Sequence, residues 1–261
     1  MPNRLLKTIS VLTFLIVATA GIAAFANHSW NGYHWARQSN PFTLKLGNNL
    51  SSSWQTYLNV ASSDWSRSSV LHTTIVAGQG GSRCKATLGR VEVCNSRYGN
   101  TGWLGIASIN LTGTSHITQG TVKLNDTYFN QAQYNTPAWR QMVTCQEIGH
   151  TFGLDHQDTN FNNINLGTCM DYTNDPTGTA GTNGTLNNEH PNTHDYSELA
   201  TIYSHFDSTT TVGQATPLLV AARAPDDDEL PREVVSQRIK SFVEDLGNGH
   251  QRVTFVFWAP K

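Results

Sequence analysis

The sequence predicts an α+β fold, because segments with strand-like alternation and segments with helical spacing follow one another along the chain. Of its 261 residues, 38% are hydrophobic and 14% are charged, which is typical of one globular domain of about 150 to 200 residues with attachments. A long uncharged apolar run occurs only near the N-terminus. We therefore expect one folded domain with a sizeable buried core.

The N-terminus has the features of a signal peptide. A basic start precedes an uncharged apolar run from Thr8 to Phe25, and Ala24 and Ala26 supply a small-x-small cleavage site. We therefore expect residues 1–26 to be removed and the protein to be secreted. An uncleaved membrane anchor is the alternative, since an apolar run of about 18 residues is near the lower limit of spanning length.

Two of the predicted helices have start signals. The serine run from 51 to 53 offers caps for a helix in which Trp54 and Trp65 share a face, and Thr136 with Pro137 supplies an N-cap and a first helical residue. The predicted strands are Phe42–Leu46, Val70–Val76, Ala86–Val93, Gly105–Leu111 and Ile117–Leu124, and the predicted helices are Trp54–Trp65, Pro137–Ile148 and His194–His205.

Turn-forming residues dominate two segments of the second half. Thr173–Asn192 predicts a long surface loop, and Asp207–Pro231, which combines Ser, Thr and Pro with an acidic run, predicts a linker. Beyond it, Val234–Val243 and Val253–Trp258 flank a Gly-Asn-Gly turn, which predicts a C-terminal β-hairpin extension over residues 232–261. Apolar alternation in the second arm favours packing on the main domain, and an adhesion module is the alternative.

The charge balance argues against nucleic acids and anionic membranes as partners. A formal net charge of -2 and a pI near 6.5 provide no basic surface for nucleic acid and none for an anionic membrane. We expect a monomer that contacts a membrane only if the N-terminal segment is uncleaved.

The four cysteines favour two disulfides, because their number is even and the chain carries an export signal. Cys84 and Cys94 flank a short segment that looks like part of a hairpin, so their pairing is the simplest choice. That leaves Cys145 to pair with Cys169.

The second predicted helix carries a metal-binding motif. Glu147, His150, Gly153 and His156 occupy the frame E-x-x-H-x-x-G-x-x-H. Positions 146 and 150 lie one helical turn apart, so both side chains can reach one ion while Glu147 faces the water bound to it. Gly153 can adopt a positive φ, end the helix and let His156 supply a third ligand. Three protein ligands with one open position are the arrangement of a catalytic zinc.

With Met170, fourteen residues after His156, the chain resembles the metzincin superfamily of zinc peptidases. In that family a tight turn bearing a methionine lies beneath the metal. The resemblance covers roughly Pro41 to His205, inside a catalytic domain that we assign to residues 27–206, and is matrixin-like. It implies a twisted mixed sheet, an active-site helix, a methionine turn, a C-terminal helix and the activity of a secreted zinc endopeptidase.

The resemblance also implies roles for individual residues. His150 and His156 would bind Zn²⁺, and Glu147 would take the proton of the zinc-bound water that attacks an internal peptide bond. A tyrosine two residues after the methionine is similar to that of astacins and serralysins, where it is a movable extra ligand and oxyanion stabiliser; that role falls on Tyr172. We expect an extended polypeptide substrate to add a strand along an edge strand near Gly120–Leu124.

One position departs from the family's pattern. In the family, the first zinc ligand is a histidine. In this chain Gln146 occupies that position, and its neutral amide oxygen binds zinc more weakly than imidazole does. Gln146 can bind through this oxygen, another group such as Cys145, His190 or His194 can replace it, or the metal site is degenerate. The expected site consists of the metal ligands Gln146, His150 and His156 and the catalytic residues Glu147 and Tyr172.

A secreted binding protein that keeps this fold without any chemistry is the alternative function. Near-stoichiometric zinc in the purified protein would favour the enzyme, and its absence would favour the binding protein. Asp155 and Asp158 are expected to be solvated or to hydrogen-bond a ligand histidine. A zymogen switch, in which a cysteine or carboxylate of a pro-segment occupies the metal, is not expected, since no cysteine precedes Pro41 and the stretch between the expected cleavage site and Pro41 is short.

Overall fold

The computed structural model describes residues 28–179, 184–214 and 230–260, and its architecture is α+β, as the sequence predicts. The strands are β1 (His34–Trp35), β2 (Phe42–Asn49), β3 (Leu71–Ala77), β4 (Arg90–Ser96), β5 (Trp103–Thr112), β6 (His116–Asn125), β7 (Ser241–Gly247) and β8 (His250–Trp258). The α-helices are α1 (Gln55–Trp65), α2 (Asp126–Phe129), α3 (Pro137–His150), α4 (Thr193–Ile202) and α5 (Arg232–Gln237). The predicted signal peptide and most of the predicted linker lie outside the described residues.

All eight strands form one mixed sheet. Its order is β3-β2-β4-β6-β5-β8-β7, and the short β1 pairs with the start of β6. β2, β3, β4 and β6 are parallel to their neighbours in that part of the sheet. β5 pairs antiparallel with β6, and the hairpin of β7 and β8 continues the antiparallel part through β5. Within the three described ranges, no helix has both the length and the apolar character needed to cross a membrane.

Helix α3 lies between α1 and the strands β5 and β6. Thr136 caps it by accepting a hydrogen bond from the N–H of Trp139 at 3.3 Å, and Pro137 occupies the first helical position, as predicted. Nε1 of Trp65, at the end of α1, donates to the carbonyl oxygen of Cys145 at 3.1 Å. From Trp139 to its last residue the helix is entirely buried, so side chains on its last two turns are held in a fixed, largely water-free environment.

The segment between Cys84 and Cys94 is not part of a hairpin, contrary to the prediction. β4 is the strand in this segment, and its partners are the parallel strands β2 and β6. Cys84 follows a short 3₁₀ turn, Gly81–Arg83, and has a left-handed conformation (φ 50°), so the chain enters β4 through turns. Both predicted disulfides, Cys84–Cys94 and Cys145–Cys169, are present.

Several predicted element boundaries were also wrong. β4 begins at Arg90 rather than Ala86, and α4 ends at Ile202 rather than His205. α1 begins at Gln55 after a 3₁₀ turn, and Ser51 makes no capping hydrogen bond with its side chain. The first arm of the C-terminal hairpin begins only at Ser241, because the residues before it form α5. Val234 of that helix is buried against Trp258, so its apolar side chain is covered without joining the sheet.

Candidate metal centre

The motif residues lie at the end of α3 and in the turn that follows it. Gln146, Glu147 and His150 are completely buried. The helix ends at His150, and Gly153 has a φ of +98°, which side-chain-bearing residues rarely adopt. A Cβ on Gly153 would also lie 1.9 Å from a backbone oxygen of the N-terminal segment. Glycine therefore allows the chain to turn back and bring His156 to His150.

The two histidines face each other through the nitrogens that bind metals. Nε2 of His150 lies 3.0 Å from Nε2 of His156. Nδ1 of His150 donates to the carbonyl oxygen of Leu154 at 2.8 Å, and Nδ1 of His156 faces Oδ1 of Asp155 at 3.5 Å. Because an acceptor faces each Nδ1, we assign the proton there and a lone pair to each Nε2.

This pair has the spacing of two metal ligands. Two lone pairs 3.0 Å apart repel each other unless a cation lies between them. Donors about 2.0 to 2.1 Å from a tetrahedral zinc are about 3.3 Å from one another, which is close to the observed separation. Asp155 lies beside Nδ1 of His156. In metal sites, a carboxylate in this position usually orients the imidazole that binds the metal.

Burial keeps both imidazoles neutral. It lowers the pKa of His150 well below its ordinary value, and the neighbouring His156 lowers that pKa further. Burial also lowers the pKa of His156, although Asp155 partly opposes the shift. Neutral imidazole is the form that binds a metal ion.

The Gln146 side chain is oriented by two backbone carbonyls. Its Nε2 donates to Cys169 O at 2.6 Å and to Asp171 O at 3.1 Å. These hydrogen bonds fix the amide and leave Oε1, which is buried and has no hydrogen-bond partner. Leaving such an acceptor unsatisfied costs about 1 to 3 kcal/mol, and a bound cation would remove that cost.

The groups considered as replacements for Gln146 are engaged elsewhere. Cys145 is oxidised in its disulfide and so offers no thiolate. Nδ1 of His190 lies 2.6 Å from Oδ2 of Asp64. His194 belongs to a different group of potential metal-ligand atoms, with His28 and Asp195, and its ring stacks on that of His28, with centroids 4.8 Å apart.

The methionine turn packs directly against α3. A Cβ on Gly149 would lie 2.6 Å from Sδ of Met170, so glycine permits this approach. Oδ1 of Asn188 accepts hydrogen bonds from the N–H groups of Gly167 and Thr168, at 2.9 and 3.2 Å, and thereby holds the turn. Asn188 belongs to the predicted loop, which contains no helix or strand over its described residues, 173–179 and 184–192.

The Glu147 side chain points toward β5. A Cβ on Gly105 would lie 2.7 Å from Oε1 of Glu147. Both carboxyl oxygens are buried without a well-formed hydrogen bond. Burial raises the pKa of Glu147 well above its ordinary value, and the backbone amide of Ala107 offsets only part of this rise. Buried carboxyl groups with strongly shifted pKa values are concentrated at functional sites.

Tyr172 lies beside the histidine pair. Its ring centroid is 4.6 Å from that of His156, edge-on, and 4.6 Å from that of Phe257, stacked. Its hydroxyl donates to the carbonyl oxygen of Val256. Burial raises the pKa of Tyr172 well above its ordinary value, and the nearby Glu147 adds to the rise.

Asp158 does not contact a ligand histidine. Its carboxylate accepts hydrogen bonds from the backbone N–H of Asn160 and from Nδ2 of Asn163, both at 2.6 Å. These contacts order the loop after the motif, so of the two expected roles the hydrogen bond to a motif histidine is not formed by this carboxylate.

Strand β8 covers the centre. The ring of Phe255 stacks on the imidazole of His150, with centroids 4.1 Å apart and planes at 4°. Trp30 meets Phe255 edge-on at 5.4 Å. Val253, Phe255 and Phe257 are completely buried in the main core, which confirms that this arm packs on the main domain. The apolar alternation was the only sequence signal for this contact, and it did not indicate which surface would be covered.

The predicted position of the substrate strand was wrong. Gly120–Leu124 belongs to β6, which pairs with β4 on one side and with β5 on the other, so it is not an edge. β5 pairs with β6 on one side, and on its other side, where a strand could otherwise be added, β8 pairs with it over Trp103–Thr112. The place where an added strand would lie is thus taken by the chain's own C-terminal strand.

No protein-family model matches the sequence, and no curated protein matches it. Among solved structures, the chain is similar to that of Myroilysin, with 11% sequence identity and a TM-score of 0.33. The similarity covers 69% of this chain and 83% of the other. At this TM-score the similarity does not assign the chain to a family.

Proposed function

We propose that this chain is a secreted zinc-dependent endopeptidase whose metal ligands are Gln146, His150 and His156. The observation that carries the proposal is the pair of buried Nε2 atoms of His150 and His156, 3.0 Å apart, to each of which we assign a lone pair. The buried Oε1 of Gln146, one helical turn before His150, has no hydrogen-bond partner and adds a third potential ligand atom. This set fits a cation and is unfavourable without one.

The remaining groups fit peptide hydrolysis. A zinc ion held here would polarise the scissile carbonyl and acidify a water molecule. Glu147 provides a buried carboxyl group, and the positive charge of a bound zinc would favour its ionised form, which can take a proton from water and return it to the leaving amine. The ring of Tyr172 lies beside His156, and its hydroxyl, which here donates to Val256 of β8, would be released by departure of that strand as a donor to the oxyanion that develops from the scissile carbonyl.

The position of β8 adds a condition to this proposal. A polypeptide could bind by adding a strand to β5, but β8 now pairs there and Phe255 covers His150. The activity would therefore belong to a form in which β8 has left β5. The full chain would then be latent, held closed by its C-terminal strand.

The same covering strand favours one alternative function. A binding protein that does no chemistry needs no open cleft, and its metal site could be degenerate. In that case β8 is simply part of the permanent core. The alternative gives no hydrolysis in any form of the protein.

Cutting the chain between β8 and the main domain tests the proposal. A specific protease site would be introduced between Gln214 and Leu230, and zinc content and hydrolysis of unstructured polypeptides would be measured before and after cutting. We expect hydrolysis to appear after the cut and to fall again when a synthetic peptide of residues 239–260 is added. Glu147→Gln is the matched control, and it should retain the metal while hydrolysis falls by at least about a hundredfold.

Two results would contradict the proposal. Unchanged zinc content on replacing His150 with glutamine would show that the centre on α3 holds no zinc and would leave only the binding function. Equal hydrolysis by the Glu147→Gln variant and the parent would show that the activity comes from another source.

A further inference from the structure

A second group of metal-binding atoms lies where β1 meets the residues after α4. His34, His205 and Asp207 each place one potential ligand atom within 4.8 Å of the other two. Nε2 of His34 is 3.1 Å from Nε2 of His205 and 3.4 Å from Oδ1 of Asp207. Nε2 of His205 is 3.7 Å from that oxygen. These separations bracket the value of about 3.3 Å between ligands of a tetrahedral zinc.

The hydrogen bonds around this group aim its atoms at a common point. Nδ1 of His34 donates to the carbonyl oxygen of Gly32 at 2.6 Å, which leaves a lone pair on its Nε2. Oδ2 of Asp207 accepts from the backbone N–H and from Nη1 of Arg37, both at 3.1 Å. Its other oxygen, Oδ1, is thereby turned toward the imidazoles. The guanidinium of Arg37 also donates to the carbonyl oxygen of His205, which fixes the backbone there.

We propose that His34, His205 and Asp207 form a second zinc site, separate in its ligands from the centre on α3. The metal joins parts of the chain that are 171 residues apart in sequence, the N-terminal strand and the end of the last helix of the main domain. Its role is to stabilise this junction. His205 is about half exposed (51%), so the ion can enter from solvent and water can complete its coordination.

His116 has a supporting role in this site. Its Nε2 lies 3.2 Å from Oδ1 of Asp207, and it can donate a hydrogen bond to the carboxylate that binds the metal. Losing such an orienting contact usually weakens metal binding about tenfold to a hundredfold without removing the site. His116→Gln should therefore keep the zinc equivalent but release it at lower chelator concentrations.

Metal counting on the full chain tests the site. Zinc per chain would be measured after equilibration with zinc and removal of excess, for the parent, His205→Gln and the control His190→Gln. His190 has the same exposed fraction (51%) but pairs with Asp64, so it should leave the zinc content unchanged. We expect His205→Gln to lose one zinc per chain, and Asp207→Asn to lose the same equivalent.

The expected loss of one zinc per chain in His205→Gln does not depend on whether the centre on α3 holds zinc. Whatever zinc other sites of the chain hold, His205→Gln should contain one zinc fewer per chain than the parent. The rise in the thermal unfolding midpoint on adding zinc should also shrink in His205→Gln and persist in His190→Gln. Equal zinc content in the parent and in a folded His205→Gln variant would overturn the proposal and leave a cluster of histidines hydrogen-bonded to one aspartate.

Discussion

Replacing Gly153 with alanine tests how the turn after α3 positions His156. Gly153 has a φ of +98°, and a Cβ added there would lie 1.9 Å from the carbonyl oxygen of Tyr33. That oxygen belongs to the backbone and cannot rotate away. The N–H of Trp30 also donates to the carbonyl oxygen of Gly153 at 3.2 Å, so the two segments are joined where they would have to separate.

Two effects add up in this variant. An alanine with a positive φ costs about 1 to 3 kcal/mol of backbone strain. Relieving an overlap with fixed backbone costs about 1 to 3 kcal/mol more, as overpacking of a core does. We therefore expect the free energy of unfolding to fall by about 2 to 6 kcal/mol. Zinc affinity at the centre on α3 should fall as well, because His156 follows the displaced turn.

Gly99→Ala is the matched control. Gly99 also has a positive φ, +85°, but nothing lies within 4 Å of the added Cβ. Gly99→Ala should therefore cost backbone strain but no steric overlap. Urea unfolding measures both losses of stability, and competition with a chelator measures zinc affinity. Equal losses in the two variants, with zinc affinity unchanged in Gly153→Ala, would refute the idea that the close approach to Tyr33 sets the turn.

Three further predictions concern α3 and its surroundings. Gln146→His should tighten zinc binding because imidazole is the better donor, and Gln146→Ala should weaken it by more than about a hundredfold; an unchanged affinity in the alanine variant would remove Gln146 from the site. Removing the Cys145–Cys169 disulfide by paired alanine substitution should lower the free energy of unfolding by about 3 kcal/mol, given its sequence separation of 24, and a loss below about 1 kcal/mol in urea unfolding would contradict this. Thr136→Ala should cost about 1 kcal/mol through the lost helix cap, whereas Thr136→Ser should cost little, and equal losses would argue against capping.

Local patterns in the sequence predicted much of this protein. The alternation of apolar residues located β2, β3, β5 and β6, and the Thr136–Pro137 pair located the start of α3. The spacing of the zinc motif predicted that His150 and His156 would meet, and Gly153 has the positive φ that this requires. These features could be predicted because each depends on the geometry of one helix, strand or turn.

Contacts between distant segments could not be predicted in this way. The alternation around Phe255 indicated that one face of that strand would be buried, but not that it would cover His150 or pair with β5. The sequence likewise gave no sign that His34 and His205, 171 residues apart, would share one aspartate.

The physical reason is that the spacing of residue types along the sequence predicts contacts only within one helix, strand or turn. Which strand pairs with which depends on the free energy of the whole sheet, including the closure of long loops and the burial of faces contributed by remote segments. The sequence by itself determined the α+β elements, the two disulfides and the zinc-motif spacing on α3. Only the tertiary structure decided that β6 lies inside the sheet, that the carbonyls of Cys169 and Asp171 orient the Gln146 amide, and that β8 pairs with β5 and covers His150.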